Sequence, residues 1–392
     1  VMVVGMNLGG GSMKVNIDHD KNPATPVKQI FTKSAYVVFD ITNPEAEPRL
    51  LAEIPMPDGS FSTVYPAVAA FQDVGTTTSC KDADGAEAAC NSWYLVFGNG
   101  PDDHETFNSN QNAKAYLFDL GQLSTKTASP ALTATDLPVN CTVQAIHPAA
   151  NLIACDTLQT NSFMGTPVVV DWNLDFRANT AYFGLVGSDA SGAMDDGQVM
   201  RLGFNNEAAF SNWSPLKTFY DTNLPVVAQP VPSIDNQDNH WLFFGTGRYF
   251  STADKTTTDK HYLYGVKDME DSVYPVEQSK LLDVSSVKMY TDGTISPSVA
   301  SITGPALSTF SALENEIDTG ALGWRMYLEP IVGLDSDPST RSTTRSALLG
   351  GVLLSSVFQP SSDPCAGEGQ SRLFGLYYKT GTAHPSKWIL GT

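Results

Sequence analysis

Trp93-Tyr94-Leu95-Val96-Phe97-Gly98, followed by Ala115-Tyr116-Leu117-Phe118-Asp119, is the stretch on which the fold turns. Each run is short, rich in aromatic and branched side chains, and closed by Gly or Asp, as a buried β-strand ending in a turn should be. The phrase returns along the chain at Tyr36-Val37-Val38-Phe39-Asp40, Pro167-Val168-Val169-Val170-Asp171 and Trp241-Leu242-Phe243-Phe244-Gly245, and again at residues 262–266 and 372–377. Little helical periodicity separates these runs. Residues 312–317, ahead of Gly320, read as a short charged helical turn. The predicted class is all-β. Many similar short units spread over 392 residues favour the blades of a β-propeller, which protects strand edges, over a β-sandwich, which needs fewer residues. No linker interrupts the pattern, so residues 1–392 are expected to form one propeller domain. Ser/Thr-rich stretches at 123–135, 251–260 and 336–346 read as surface loops.

Composition narrows the partners. Hydrophobic residues make up 42% of the chain, enough for a large core, which excludes wholesale disorder. Lys plus Arg number 23 against 42 Asp plus Glu, a formal charge of -19, so nucleic acid is not an expected partner. The acidic excess suits a soluble secreted protein and attracts divalent cations. No run approaches the roughly 18 apolar residues of a membrane helix, so no direct membrane span is expected. The chain opens on Val1-Met2-Val3-Val4 without an initiator Met, and a fragment of a longer protein is therefore expected.

The five cysteines offer no CxxC pair and no nearby His cluster, which argues against zinc, dithiol redox and c-type haem chemistry. Cys80 and Cys90 bracket an acidic loop, while Cys141 and Cys155 bracket a hairpin-like segment. Two local loop-closing disulfides are the preferred assignment, and they imply an oxidising compartment. Cys365 is left over, either free or paired with a cysteine upstream of this sequence.

Several phrases, taken in order, resemble the C-terminal domain of PilY-type proteins. They are Gly9-Gly10-Gly11, Val38-Phe39-Asp40-Ile41-Thr42-Asn43-Pro44, Val96-Phe97-Gly98-Asn99-Gly100, Gly165-Thr166-Pro167-Val168-Val169-Val170-Asp171, Phe244-Gly245-Thr246-Gly247-Arg248-Tyr249-Phe250 and Pro360-Ser361-Ser362-Asp363-Pro364-Cys365. The resemblance runs from about residue 3 to residue 381. It implies a modified seven-bladed β-propeller exported to the surface of a Gram-negative bacterium. It also implies a non-enzymatic role with minor pilins at the tip of a type IV pilus, in assembly, adhesion and calcium-linked control of retraction. In that family a variable N-terminal region precedes the propeller. The host or surface ligand is not given by the resemblance.

One segment reads as a metal site in its own right. Asp171-Trp172-Asn173-Leu174-Asp175-Phe176-Arg177-Ala178-Asn179 sets oxygen-bearing groups at alternate positions after a strand. Ca²⁺ needs about six to eight oxygens, and a coiling chain offers them from places one, three, five and nine by side chain and seven by carbonyl. Asp171, Asn173, Asp175, the Arg177 carbonyl and Asn179 fill those places, and the family's calcium loop lies at the same point. Two departures weaken the site: Phe176 stands where Gly normally permits the sharp turn, and Asn179 replaces an acidic residue. The competing reading is an Asx-rich turn without metal. Residues 16–22 repeat the alternation more weakly, and with Asp82 and Asp84 they read as ordinary turns.

Other chemistry finds no support. Residues 5–12 approach a phosphate-binding loop, but Gly11 stands where its Lys should be. The six His residues form no HExxH, and GxSxG is absent. Trp93, Trp241 and Trp324 begin strand-like runs and are expected in blade cores. Arg248 in Gly247-Arg248-Tyr249 either faces a partner or locks a turn. Two rivals remain: a quinoprotein-dehydrogenase-like propeller enzyme, disfavoured because adjacent cysteines are missing, and a calcium-dependent lectin-like surface propeller.

Overall fold

The computed structural model describes residues 1–11, 14–17, 28–72, 80–81, 87–88, 91–125, 137–147, 150–188, 195–205, 210–269, 274–334, 337–361, 363 and 368–386. Contacts group the chain into two compact units, Val1–Thr180 with Leu202–Leu216, and Ala181–Arg201 with Lys217–Thr392. One domain over 1–392 stays an expectation beside this grouping. The all-β class holds: small, mostly antiparallel sheets dominate, and among the described residues six of them have three or more strands. A count of seven blades does not follow from them.

In the first unit the fold-deciding runs pair with each other. Strand Asn91–Gly98 lies antiparallel to Lys114–Asp119, with Phe97 opposite Tyr116 and Leu95 opposite Phe118. Ala67–Gln72 pairs on one side, and Ala150–Asp156 followed by Cys141–His147 on the other. Over Leu95–Phe97 and Tyr116–Phe118 both faces of this sheet are covered, which explains runs that are apolar there instead of alternating. Leu95, Phe97, Tyr116 and Phe118 pack with Tyr36, Val38 and Ile54 of the small sheet Met2–Gly5, Ala35–Asp40 and Arg49–Pro55. On the opposite side Phe71 and Tyr94 meet Phe204, Phe210 and Trp213. Cys141 and Cys155 face each other in register and form a disulfide, as expected. Cys90, and with it the Cys80–Cys90 pairing, lies outside the described residues, as do Cys365, Asp82, Asp84 and most of 16–22.

The second unit is built around Val231–Ile234, His240–Gly245, Tyr262–Asp268 and Gly323–Tyr327, paired antiparallel in that order, with Leu281–Asp283 added in parallel. Gly265 sits opposite Trp324, and a Cβ there would come 2.6 Å from the indole, so the strand needs glycine at that point. Trp241, Phe243, Leu313, Ile317 and Trp324 share one core with Leu353, Val357 and Leu376 of the sheet Ala347–Leu349, Val352–Pro360 and Gly369–Tyr377. The helical turn expected at 312–317 is a ten-residue helix, Phe310–Thr319. Thr309 caps it by accepting the Ala312 N–H, and Phe310, Leu313 and Ile317 bury one face. Asp268 is buried and takes Arg201 Nε at 2.8 Å together with the hydroxyls of Tyr182 and Tyr274, which satisfies its charge.

Two expectations fail. Of the stretch 336–346, Ser339, Thr340, Arg341 and Ser342 are buried and not a surface loop. Arg341 makes that burial affordable, because its guanidinium donates to the carbonyls of Arg248, Asp254 and Ser339. Trp93 is not in a blade core: it is 51% exposed, whereas Trp241 and Trp324 are fully buried.

Candidate metal centre

Strand Val168–Val170 delivers the chain into the loop, and Asn179 N–H returns to the Val170 carbonyl at 2.8 Å to close it. A second backbone bond, Ala178 N–H to the Ala70 carbonyl, ties the loop's far end to the neighbouring strand. Trp172 and Ala178 point inward and are buried; Leu174 and Phe176 point to solvent. Of the loop's oxygen-bearing residues, Asp171, Asp175 and Asn179 are half-buried and Asn173 is exposed.

Asp171 organises the loop. Its Oδ1 accepts the Asp175 N–H at 3.2 Å and its Oδ2 the Phe176 N–H at 2.7 Å. Asp175 Oδ1 accepts the Arg177 N–H at 2.9 Å, and its Oδ2 accepts Asn173 Nδ2 at 3.1 Å. Asn179 Oδ1 accepts the N–H of Trp172. The structure therefore joins Asp171, Asn173, Asp175 and Arg177 in one hydrogen-bonded turn and holds Asn179 against its first residues. Arg177 enters through its N–H; coordination by its carbonyl is the sequence expectation.

The sixth place resolves one of the two departures. Phe176 adopts φ 66°, the left-handed conformation for which glycine is preferred, and Leu174 does likewise at 58°. The sharp turn is made without glycine, at about 1–2 kcal/mol of backbone strain per residue, and the Phe176 ring is left 86% exposed.

For a hard cation the donor set is right in kind and light in charge. Each carboxylate oxygen has two lone pairs, so accepting an N–H leaves capacity for an ion. Rotating the Asn173 amide would turn Oδ1 inward in place of Nδ2. Only Asp171 and Asp175 supply formal charge, and among the described residues no group of three or more His, Cys, Asp or Glu side chains forms a cluster. Two carboxylates suit weak, millimolar-range binding.

Sequence reasoning left Arg248 open, and the structure assigns it. Its Nε lies 2.9 Å from Asp254 Oδ1, both side chains are buried, and Asp254 Oδ2 accepts the N–H groups of Phe250 and Ser251 at 2.7 Å each. Arg341 caps the same turn through its carbonyls. Gly247-Arg248-Tyr249 is thus a locked turn, and Arg248 is not a surface contact. Nearby His261 is fully buried; desolvation, aided by Arg341, pushes its pKa down to about 3 and keeps it neutral. Residues 5–11 form a turn, with Asn7 and Gly10 at positive φ and Gly9 N–H on the Met6 carbonyl. No helix among the described residues is long and apolar enough to cross a membrane.

No family model matches the chain. In sequence it is 26% identical over 306 residues to a type IV pilus biogenesis factor PilY1 homolog of Xylella fastidiosa; the match takes in 74% of this chain but 18% of that protein. In fold it is similar to the crystal structure of the Pseudomonas aeruginosa PilY1 C-terminal domain, with a TM-score of 0.53 and 16% identity, over 95% of this chain and 71% of the other. The likeness in sequence and the likeness in fold fall on the same kind of protein: this chain is similar in sequence to a PilY1 homolog and has a fold like that of the PilY1 C-terminal domain.

Proposed function

We propose that this chain is the propeller domain of a type IV pilus biogenesis factor, a non-enzymatic protein acting outside the cytoplasm at the pilus tip. The observation that carries the reading is the agreement just described: relatedness in sequence over 306 residues and likeness in fold over 95% of the chain converge on PilY1 proteins. In this reading the domain works with minor pilins during assembly and displays turns to a host or surface ligand. Ca²⁺ at Asp171, Asn173, Asp175, Arg177 and Asn179 links ion binding to retraction. A modified seven-bladed arrangement supplies the rigid frame. The disulfide Cys141–Cys155 fits an oxidising compartment.

Deleting the gene in its source bacterium should sharply reduce surface pili counted by electron microscopy, with recovery on re-expression of the whole protein and co-purification of minor pilins. Unchanged piliation would contradict the proposal. An absorbance spectrum of the purified protein should be colourless beyond the aromatic band; a quinone band would favour the enzyme reading.

A further inference from the structure

Strand Gly369–Tyr377 is the outermost of its sheet, and among the described residues no strand lies along its far side. Its pairing with Val352–Pro360 is regular through all nine positions. The bonds at its two ends fix which backbone groups face outward. Ser361 N–H donates to the Glu368 carbonyl and Tyr378 N–H to the Gly351 carbonyl, each at 3.1 Å, so the even-numbered residues address the inner neighbour. Tyr377 N–H points the other way, to the Thr382 carbonyl at 2.7 Å. In an antiparallel strand the N–H and C=O of one residue point to the same side, and the side alternates along the chain. The N–H and C=O groups of Gly369, Ser371, Leu373 and Gly375 therefore line an open edge, and all four residues are exposed.

Such an edge is a template for another strand unless charge, Pro or a bulge blunts it. Other edges of the molecule are blunted. Arg49–Pro55 carries Arg49, Glu53, Pro55 and a register shift; Lys217–Asp221 has a charge at each end and a register shift; Val231–Ile234 contains Pro232. Gly369–Tyr377 has no Pro, no register shift and one charge, Arg372, and it holds Leu373 at 66% exposure.

We propose that this edge is a self-association surface, on which a second copy of the chain adds the same strand antiparallel, about a two-fold axis at Ser371. The register follows from the residues. Thr382 already occupies the space beside Tyr377, so an added strand can run only along Gly369 to Gly375. Two symmetric registers use that stretch most fully. Centring on Arg372 would set its charge directly against itself, which is destabilising. Centring on Ser371 sets Arg372 opposite Gln370 of the second copy and joins the outward N–H and C=O groups of Gly369, Ser371 and Leu373 across the axis. Leu373 then lies opposite Gly369 of the second copy, on the same face of the joined sheet. A Cβ at Gly369 would come 2.3 Å from the Phe358 ring, so the ring lies over that position and receives the Leu373 side chain. The exposed leucine and the glycine under an aromatic ring are thus complementary parts of one isologous contact. The repulsion between two chains of formal charge -19 is screened beyond about 8 Å at physiological salt, and residues 369–377 include no acidic side chain. The inference stands on this strand and is independent of the pilus reading; it is tested on the purified chain.

The test is sedimentation equilibrium at physiological salt over about 1 to 200 µM, with the apparent mass rising toward twice that of the monomer. Leu373→Lys should weaken the dimer at least about tenfold, and Ser371→Pro, which removes an outward N–H at the axis, by a similar factor. Gln370→Glu sets a carboxylate opposite Arg372 and should tighten it about threefold. Melting temperatures verify that each variant is folded. Under mild oxidation Ser371→Cys should cross-link two copies, and Leu373→Cys should do so no more than the parent chain. A monomer at every concentration, a dimer indifferent to Leu373→Lys and Ser371→Pro in folded variants, or cross-linking through Leu373→Cys in place of Ser371→Cys would each overturn the proposal.

Discussion

Asp171-Trp172-Asn173-Leu174-Asp175 and Asp235-Asn236-Gln237-Asp238-Asn239 both leave a β-strand and both set oxygen-bearing side chains at their first, third and fifth places. As sequence they are near equivalents. As structure they differ in what consumes the oxygens. Asp235 is buried; its Oδ1 accepts the N–H groups of Gln237 and Asn239, and its Oδ2 takes Trp241 Nε1 at 2.9 Å and Asn239 Nδ2 at 2.9 Å. Burial pushes its carboxyl up, but those donors outweigh it and hold the pKa below the ordinary range. The Asp235 turn spends its carboxylate on seating a core tryptophan. The Asp171 loop turns its apolar Leu174 and Phe176 outward and answers mainly to its own backbone. Alternating oxygens therefore announce a tight turn, and burial decides whether the turn serves the core or is left open to an ion.

The sharpest way to break this comparison is Asp235→Ala, which strands the Trp241 indole N–H and two backbone donors. It should cost about 3 kcal/mol in urea denaturation, equally with and without calcium. A calcium-dependent cost would make the two turns alike after all.

Acid probes the buried unit next. His261 has its pKa at about 3 when folded, against 6.5 for a free imidazole side chain, so between those limits the unfolded chain binds a proton that the native state refuses. Stability is complete well above pH 6.5 and is lost as pH falls toward 3; the drop from 6.5 to 5 should cost about 1.6 kcal/mol. His261→Gln should flatten that segment of the profile, and an unchanged slope would show that His261 is not held neutral.

A smaller effect belongs to the Asp171 loop. Free calcium at ten times its dissociation constant should raise stability by about 1.4 kcal/mol, and Asp171→Ala should remove that gain. The smallest is Phe176→Gly, which relieves strain at φ 66° but loosens the unfolded chain, for a net change of about 0.5 kcal/mol in either direction. Its sharper readout is tighter calcium binding.

Much of the fold was legible because hydrophobic runs closed by Gly or Asp have few alternatives to a strand. Trp93 to Gly98 and Ala115 to Asp119 read as strands and are mutual partners. What escaped notice depended on contacts remote in sequence. Ser339 to Ser342 look like solvent-facing polar residues until Arg341 is seen to satisfy carbonyls some 90 positions earlier. The parallel strand Leu281–Asp283 is too short for periodicity to register. At the loop, the spacing located the residues that come together, but it could not reveal that Phe176 would adopt glycine's conformation. The Asp235 turn carries a readable signal, an Asx alternation two residues before a tryptophan.

Calorimetric titration of calcium into the purified chain, alongside Asp171→Ala and Asp175→Ala, decides whether residues 171–179 hold an ion. A saturable heat at millimolar calcium in the parent chain, absent from both variants while their folding is intact, is the predicted result. No heat in the parent, or the same heat in all three, would leave residues 171–179 as a turn of the same kind as Asp235.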